Sequence, residues 1–183
     1  MGKPDIKKIK AGRDVQNNGE IEVFEGGDPR LITPYINTLN DKDERFRAIA
    51  MAGLIKIGEP AIEPLIQALK ENNQDTRKYA IITLIKIGKK AVSYLIQALE
   101  DKDKEVRLGA AIALEEIGKP AINPLIQALK HKEKVVRLLA VLTLGEIGDA
   151  RAIKPLTQTL KDEDKDVRDA AKEALEEIKA KKS

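Results

Sequence analysis

Cysteine is absent from these 183 residues, as is tryptophan, and aromatic side chains make up only 3% of the chain. No disulfide, thiol nucleophile or thiolate metal site can form, which is compatible with a reducing compartment. Phe24, Phe46, Tyr35, Tyr79 and Tyr94 are the whole aromatic complement, so the core must be aliphatic, built from Leu, Ile, Val and Ala. His131 is the sole histidine, in a turn beside lysines, where it reads as a surface residue rather than a catalyst or metal ligand. No apolar run approaches the ~20 residues of a membrane span, and the N-terminus has no stretch resembling a signal peptide. A cytoplasmic protein without a membrane partner is expected. Neither sign of charge dominates: 33 basic and 30 acidic residues leave +3, with the signs interspersed. A dedicated nucleic-acid binder gathers its cations on one face, so nucleic acid is not the expected partner. Abundant Lys, Glu and Ile with few Met leans towards a thermophilic source.

What the chain does have is repetition. Gly58, Gly88, Gly118 and Gly148 fall thirty residues apart, and Arg47, Arg77, Arg107, Arg137 and Arg168 keep the same beat with one slip. Ala61-Ile-Glu-Pro-Leu-Ile-Gln-Ala-Leu69 returns as Ala121-Ile-Asn-Pro-Leu-Ile-Gln-Ala-Leu129, and more loosely at 31–39, 91–99 and 152–160. Such a period marks a stacked array in which each unit buries its apolar face against its neighbours. Asp103 is a good helix N-cap, Val106 to Ile117 has helical periodicity, and Gly118 supplies the turn that ends the helix. Pro120 suits the start of the following helix, where a missing N–H costs nothing, and Pro124 is tolerable in its first turn. Each unit is therefore a pair of antiparallel helices. The expected boundaries are 28–58, 59–88, 89–118, 119–148 and 149–180. Residues 1–27 read as an irregular segment or degenerate capping half-repeat, with a short helix at Pro4–Ala11 and a strand or hairpin arm at Glu20–Glu25. The polar last helix suits a terminal cap.

Asp, two variable residues, Val-Arg, an Ala-rich helix, Ile-Gly, then Pro-Leu-Ile-x-Ala-Leu resembles the HEAT-like repeats named after phycobilisome lyases. The resemblance covers residues 28–178 and implies an all-α, right-handed α-solenoid of about five helix pairs. Proteins of this kind include scaffolds, adaptors and a few enzymes, so fold does not fix function. Deoxyhypusine hydroxylase, a di-iron relative, needs His-Glu pairs, and this sequence has none. A bilin-lyase-like enzyme or accessory is the alternative reading, though nothing singles out a bilin site. Related DNA glycosylases need a cationic groove and base-holding aromatics, which ranks nucleic-acid binding third. An engineered repeat protein is a further alternative, against which the irregular N-terminus and drifting framework weigh. No catalytic constellation, cofactor motif or metal set is visible, and the expectation is a protein that is not an enzyme. Gly53–Gly58 and Gly145–Gly148 read as turn residues at helix ends.

The resemblance also implies a structural ladder. Asp43, Asn73, Asp103 and Asp164 are caps, Glu133 is a poorer one, and Arg47, Arg77, Arg107 and Arg168 each follow a cap by four residues, with Arg137 following Glu133. An acidic residue and an arginine at these positions are expected to link adjacent units.

Helical phase divides the long helix of each unit. In the third unit Val106, Ala110, Ala113, Leu114 and Ile117 form the core side, while Leu108, Gly109, Ile112, Glu115 and Glu116 lie opposite. In HEAT-like arrays that opposite side lines the concave surface. Its expected members elsewhere are Ile49, Ala52, Ile55 and Lys56; Lys78, Tyr79, Ile82, Ile85 and Lys86; and Val135, Leu138, Leu139, Leu142 and Glu146. The groove is expected to be apolar through four units, with lysines towards one end and carboxylates towards the other. A helix or extended peptide of another protein is the expected occupant, with Tyr79 and Leu139 as anchors. Self-association as a homodimer and cover by Val23 and Phe24 are the competing accounts.

Overall fold

A computed structural model describes residues 13–15, 21–23 and 27–181. The expected helix at Pro4–Ala11 and the covering role given to Phe24 lie outside these residues. The chain divides after Ile87 into two compact bodies.

In the first body, strand β1 (Arg13–Val15) pairs antiparallel with β2 (Ile21–Val23), Arg13 opposite Val23 and Val15 opposite Ile21. Two helix pairs follow: α1 (Ile32–Thr38) with α2 (Glu44–Ile57), then α3 (Ile62–Ala68) with α4 (Gln74–Ile87). The second body holds α5 (Val92–Ala98), α6 (Lys104–Ile117), α7 (Ile122–Ala128), α8 (Lys134–Ile147), α9 (Ile153–Thr159) and α10 (Lys165–Ala180). Helices of seven residues thus alternate with helices of fourteen or sixteen.

Sequence chemistry sets these lengths. A 3-10 turn leads into each short helix, and Pro29, Pro60 and Pro120 sit in its opening positions, where no N–H is needed. Pro34, Pro64, Pro124 and Pro155 occupy the third residue of a short helix, still within the turn whose N–H groups have no intrahelical acceptor. Asp43, Asp103 and Asp164 cap long helices by accepting the N–H of the residue two ahead, and Asn73 accepts that of Thr76. Glu133 makes no side-chain cap bond, because its longer chain cannot hold the same geometry. At the far end Gly58, Gly88, Gly118 and Gly148 take φ of 70–74°, which an L side chain adopts only with strain.

The core is a stack of equivalent positions. Ala50 and Ala80 in the first body, and Ala110, Ala140 and Ala171 in the second, are fully buried. Leu54 and Leu84, then Leu114 and Leu144, lie one turn further along and are equally enclosed. Alanine lets neighbouring long helices approach, and each buried leucine contributes about 1.5–3 kcal/mol. The α2–α4, α6–α8 and α8–α10 pairs carry this packing, with each short helix laid against the long helix that follows it.

Two expectations are corrected here. Gly53 and Gly145 are not turn residues but lie inside α2 and α8, buried where a neighbour comes close. Gly109, placed by phase on the open side, is also buried, although Leu108 and Ile112 beside it are exposed.

Asp149 caps the 3-10 turn before α9. Its carboxylate accepts the Arg151 backbone N–H at 2.9 Å and the guanidinium at 2.9 and 3.0 Å. These bonds hold its pKa down, at about 2 against an ordinary 3.8. A depressed folded pKa gives stability that is present above the unfolded value and lost as pH falls through the folded one. Asp149→Asn is therefore expected to melt below wild type at neutral pH, with the gap closing between pH 3.8 and about 2. Thermal midpoints across that range check this, and a gap independent of pH would contradict it.

Candidate functional site

The arginine ladder works locally before it works between units. Arg47 Nη1 donates to the carbonyls of Asp41 and Lys42, Arg107 to those of Asp101 and Lys102, and Arg168 to those of Asp162 and Glu163. Arg77 reaches Glu71 O at 2.6 Å, and Arg137 reaches the carbonyls of His131 and Lys132. Each arginine thus closes the turn that precedes its own helix. The cap carboxylates of Asp43, Asp103 and Asp164 accept first-turn N–H groups, and Asp164 also takes the Lys134 ammonium from the preceding unit. In the second body the arginine's acidic partner comes from the next turn. Arg137 Nε and Nη2 donate to the two oxygens of Asp162 at 2.9 and 3.0 Å, with the side chains only 7% and 10% exposed. Lys134 adds bonds to Asp164 and Asp166 at 3.0 and 3.1 Å.

A recurring turn residue went unnoticed in the sequence. Asp41, Asp101 and Asp162 each accept, through Oδ1, the backbone N–H two residues on. His131 stands in for them: its Nδ1 accepts the Glu133 N–H at 3.1 Å, and its Nε2 lies 3.1 Å from Glu100 Oε1. This histidine is half-buried, with Nδ1 holding its own turn and Nε2 facing Glu100 of the preceding unit. It borders a groove of about 550 Å³ lined by Val92, Ile96, Pro120, Pro124 and Ala128 from the α5–α7 side. Among the described residues no group of His, Cys, Asp and Glu is arranged to hold a metal ion. No helix among them is long and apolar enough to cross a membrane.

The open face of the long helices is uneven. In the first body Ala52 and Lys56 are exposed and Ile55 is 36% exposed, while Ile49 is half-buried. On α4, Lys78 and Lys86 are exposed, but Ile82 and Ile85 are partly covered. The ring of Tyr79, expected as an anchor, is half-buried under the Arg47 guanidinium at 4.9 Å, with the Lys78 ammonium at 5.3 Å. The large exposed apolar side chains gather in the second body: Leu108 and Ile112 on α6, 40% and 47% exposed, and Leu142 on α8, 44% exposed. Ile112 and Leu142 hold equivalent repeat positions, as do Leu108 and Leu138, so on packed neighbours they lie side by side. Val135, Leu138 and Leu139 are half-buried and extend the patch inward.

Carboxylates close one end of this patch. Glu115 and Glu116 end α6, Glu146 ends α8, and Glu177 of α10 leans back until Oε2 is 3.0 Å from where a Gly145 Cβ would stand. Lys181 lies among them, donating to the carbonyls of Gly145 and Glu146. Partial burial, then the Glu146 and Glu116 charges, push the Glu115 pKa up, with Lys181 opposing. A raised folded pKa means that the ionised form is penalised at neutral pH and that stability recovers as pH falls through the folded value. Glu115→Gln is therefore expected to stabilise the protein at pH 7 by up to about 0.5 kcal/mol, the scale of a surface substitution. The gain should vanish below the ordinary value of 4.5, where both states are protonated. Denaturation midpoints at the two pH values read this directly.

Comparison with known families agrees with the repeat geometry. The family model for HEAT repeats matches residues 62–125 and 122–183, and a model for the PBS lyase HEAT-like repeat matches 46–71. The chain belongs to the HEAT repeat family. No curated protein matches it. Among solved structures, the complex of CpcE and CpcF of phycocyanin lyase from Nostoc sp. PCC7120 is 25% identical, covering 80% of this chain and 99% of that one at a TM-score of 0.45. Human deoxyhypusine hydroxylase in complex with glycerol is 17% identical, covering 84% and 64% at 0.49. An archaeal HEAT-like repeats protein from Thermococcus onnurineus NA1 is 16% identical, covering 85% and 73% at 0.42.

Proposed function

We propose that this HEAT repeat protein is a non-catalytic interaction module that holds a helix or peptide of another protein on the open face of its long helices. The observation that carries the reading is the cluster of Leu108, Ile112 and Leu142 exposed on two packed helices. Contiguous apolar surface is costly to leave in water, and grooves between helices take the apolar stripe of a partner helix at i, i+3, i+4 and i+7. The anchors are therefore these three residues rather than Tyr79 and Leu139, which are both half-buried. The engagement of His131 Nδ1 by its own turn and of Nε2 by Glu100 supports the non-catalytic part of the reading.

A displayed random-peptide library, selected on the folded protein, tests this. Selected peptides are expected to lose binding to Leu142→Glu by about 100-fold, while circular dichroism and melting of that variant stay near wild type, since Leu142 makes little of the core. Peptides that bind Leu142→Glu and wild type alike would refute the assignment of the site.

A further inference from the structure

Resting on that reading, we propose that the partner segment held on the α6–α8 face is a cationic amphipathic helix, with Lys or Arg at the end that meets the carboxylates of α6, α8 and α10. Three observations combine. Leu108, Ile112 and Leu142 provide an apolar floor that asks for aliphatic side chains. Glu115, Glu116, Glu146 and Glu177 stand at one end of that floor, where Lys181 pairs with the Glu146 carboxylate. The corresponding positions of α2 and α4 hold Lys56 and Lys86, so the acidic end belongs to the second body's repeats and is not a property of the repeat framework.

The Coulomb balance favours a cation. Lys181 is about half exposed, and its Nζ lies 3.6 Å from Glu146 Oε2 while bonding the Glu146 carbonyl at 2.7 Å, so its charge serves the helix end and neutralises the cluster only in part. An incoming ammonium or guanidinium relieves carboxylate repulsion, whereas an incoming carboxylate adds to it, and an apolar neighbourhood strengthens both effects. The direction of the partner follows, with its cations over the C-terminal ends of α6 and α8 and its apolar stripe running back along Ile112 and Leu108. A partner positive at its own C-terminal turn also satisfies its helix dipole.

The test uses two synthetic helical peptides of about 14 residues, the length of α6, that share one Leu/Ala stripe. One carries Lys in its last turns and the other carries Glu there. Fluorescence anisotropy is measured with wild type, the pair Glu115→Gln and Glu146→Gln, and Ile112→Ser. The expected result is binding of the Lys peptide, at least about tenfold weaker binding of the Glu peptide, and about tenfold loss for the Lys peptide on the double Gln variant. Ile112→Ser should weaken it as well, which separates a docked helix from loose attraction between charges. Equal binding of both peptides, lost in Ile112→Ser, would overturn the cationic partner while leaving the apolar site standing. Lys-peptide binding untouched by any variant, or absent altogether, would also overturn the inference, and the library selection above then judges the underlying reading on its own.

Discussion

Asp162→Ala lowers the stability of the second body by about 3 kcal/mol, the scale of breaking a buried ion pair by removing one partner. The Arg137 guanidinium is 7% exposed and keeps its charge, so without Asp162 it stays buried with two carbonyls and the solvent-facing Glu163 for company. The same carboxylate also accepts the Asp164 N–H at 2.9 Å, so the turn that starts α10 loosens too. Both losses fall on the α8–α10 contact, and faster amide exchange should appear there first. Exchange measured over α8 and α10, beside the urea midpoint, checks the claim. A cost below about 1 kcal/mol would place the pair with weak surface salt bridges.

Gly53→Ala destabilises the first body by up to about 2 kcal/mol. A Cβ at Gly53 falls within van der Waals distance of three carbons of the Tyr35 ring. That ring is 5% exposed on α1 and cannot swing into water without emptying its site. Overpacking of this kind costs about 1–3 kcal/mol, against which alanine's better helix propensity returns about 1. A companion change that shortens the ring, Tyr35→Leu, should recover part of the loss in the double variant. No recovery would show that the backbone, not the ring, fixes the approach.

These two residues show where sequence reasoning stops. The repeat, the caps at Asp43, Asn73, Asp103 and Asp164, the terminal glycines and the Ala and Leu columns of the core are local and periodic, so the chain displays them directly. Arg137–Asp162 spans twenty-five positions, and only packing brings it together. Residues four apart share a helix face, and the carboxylates of Asp43, Asp103 and Asp164 accept N–H groups of their own first turns, while only packing brings Lys134 to Asp164. Gly53 sits near a helix end in the repeat register, yet its reason is Tyr35, eighteen residues earlier and on another helix. The signal for His131 was present: it occupies the position, two before the cap, that Asp41, Asp101 and Asp162 hold elsewhere. Helical phase sets Leu108, Ile112 and Leu142 away from the core, and their side chains are exposed. It could not foresee that Ile82 and Ile85 would be partly covered, because cover depends on neighbours that periodicity does not describe.

A partner docked on the α6–α8 face lies against Ile112 and away from α7. A photo-crosslinking residue placed at Ile112, and separately at the exposed Asn123 of α7, tests it most directly in extract from the source cells. The expected result is a discrete adduct with one foreign protein from position 112 and none from position 123. Equal adducts from both positions, or from 112 adducts only with a second copy of this chain, would contradict it.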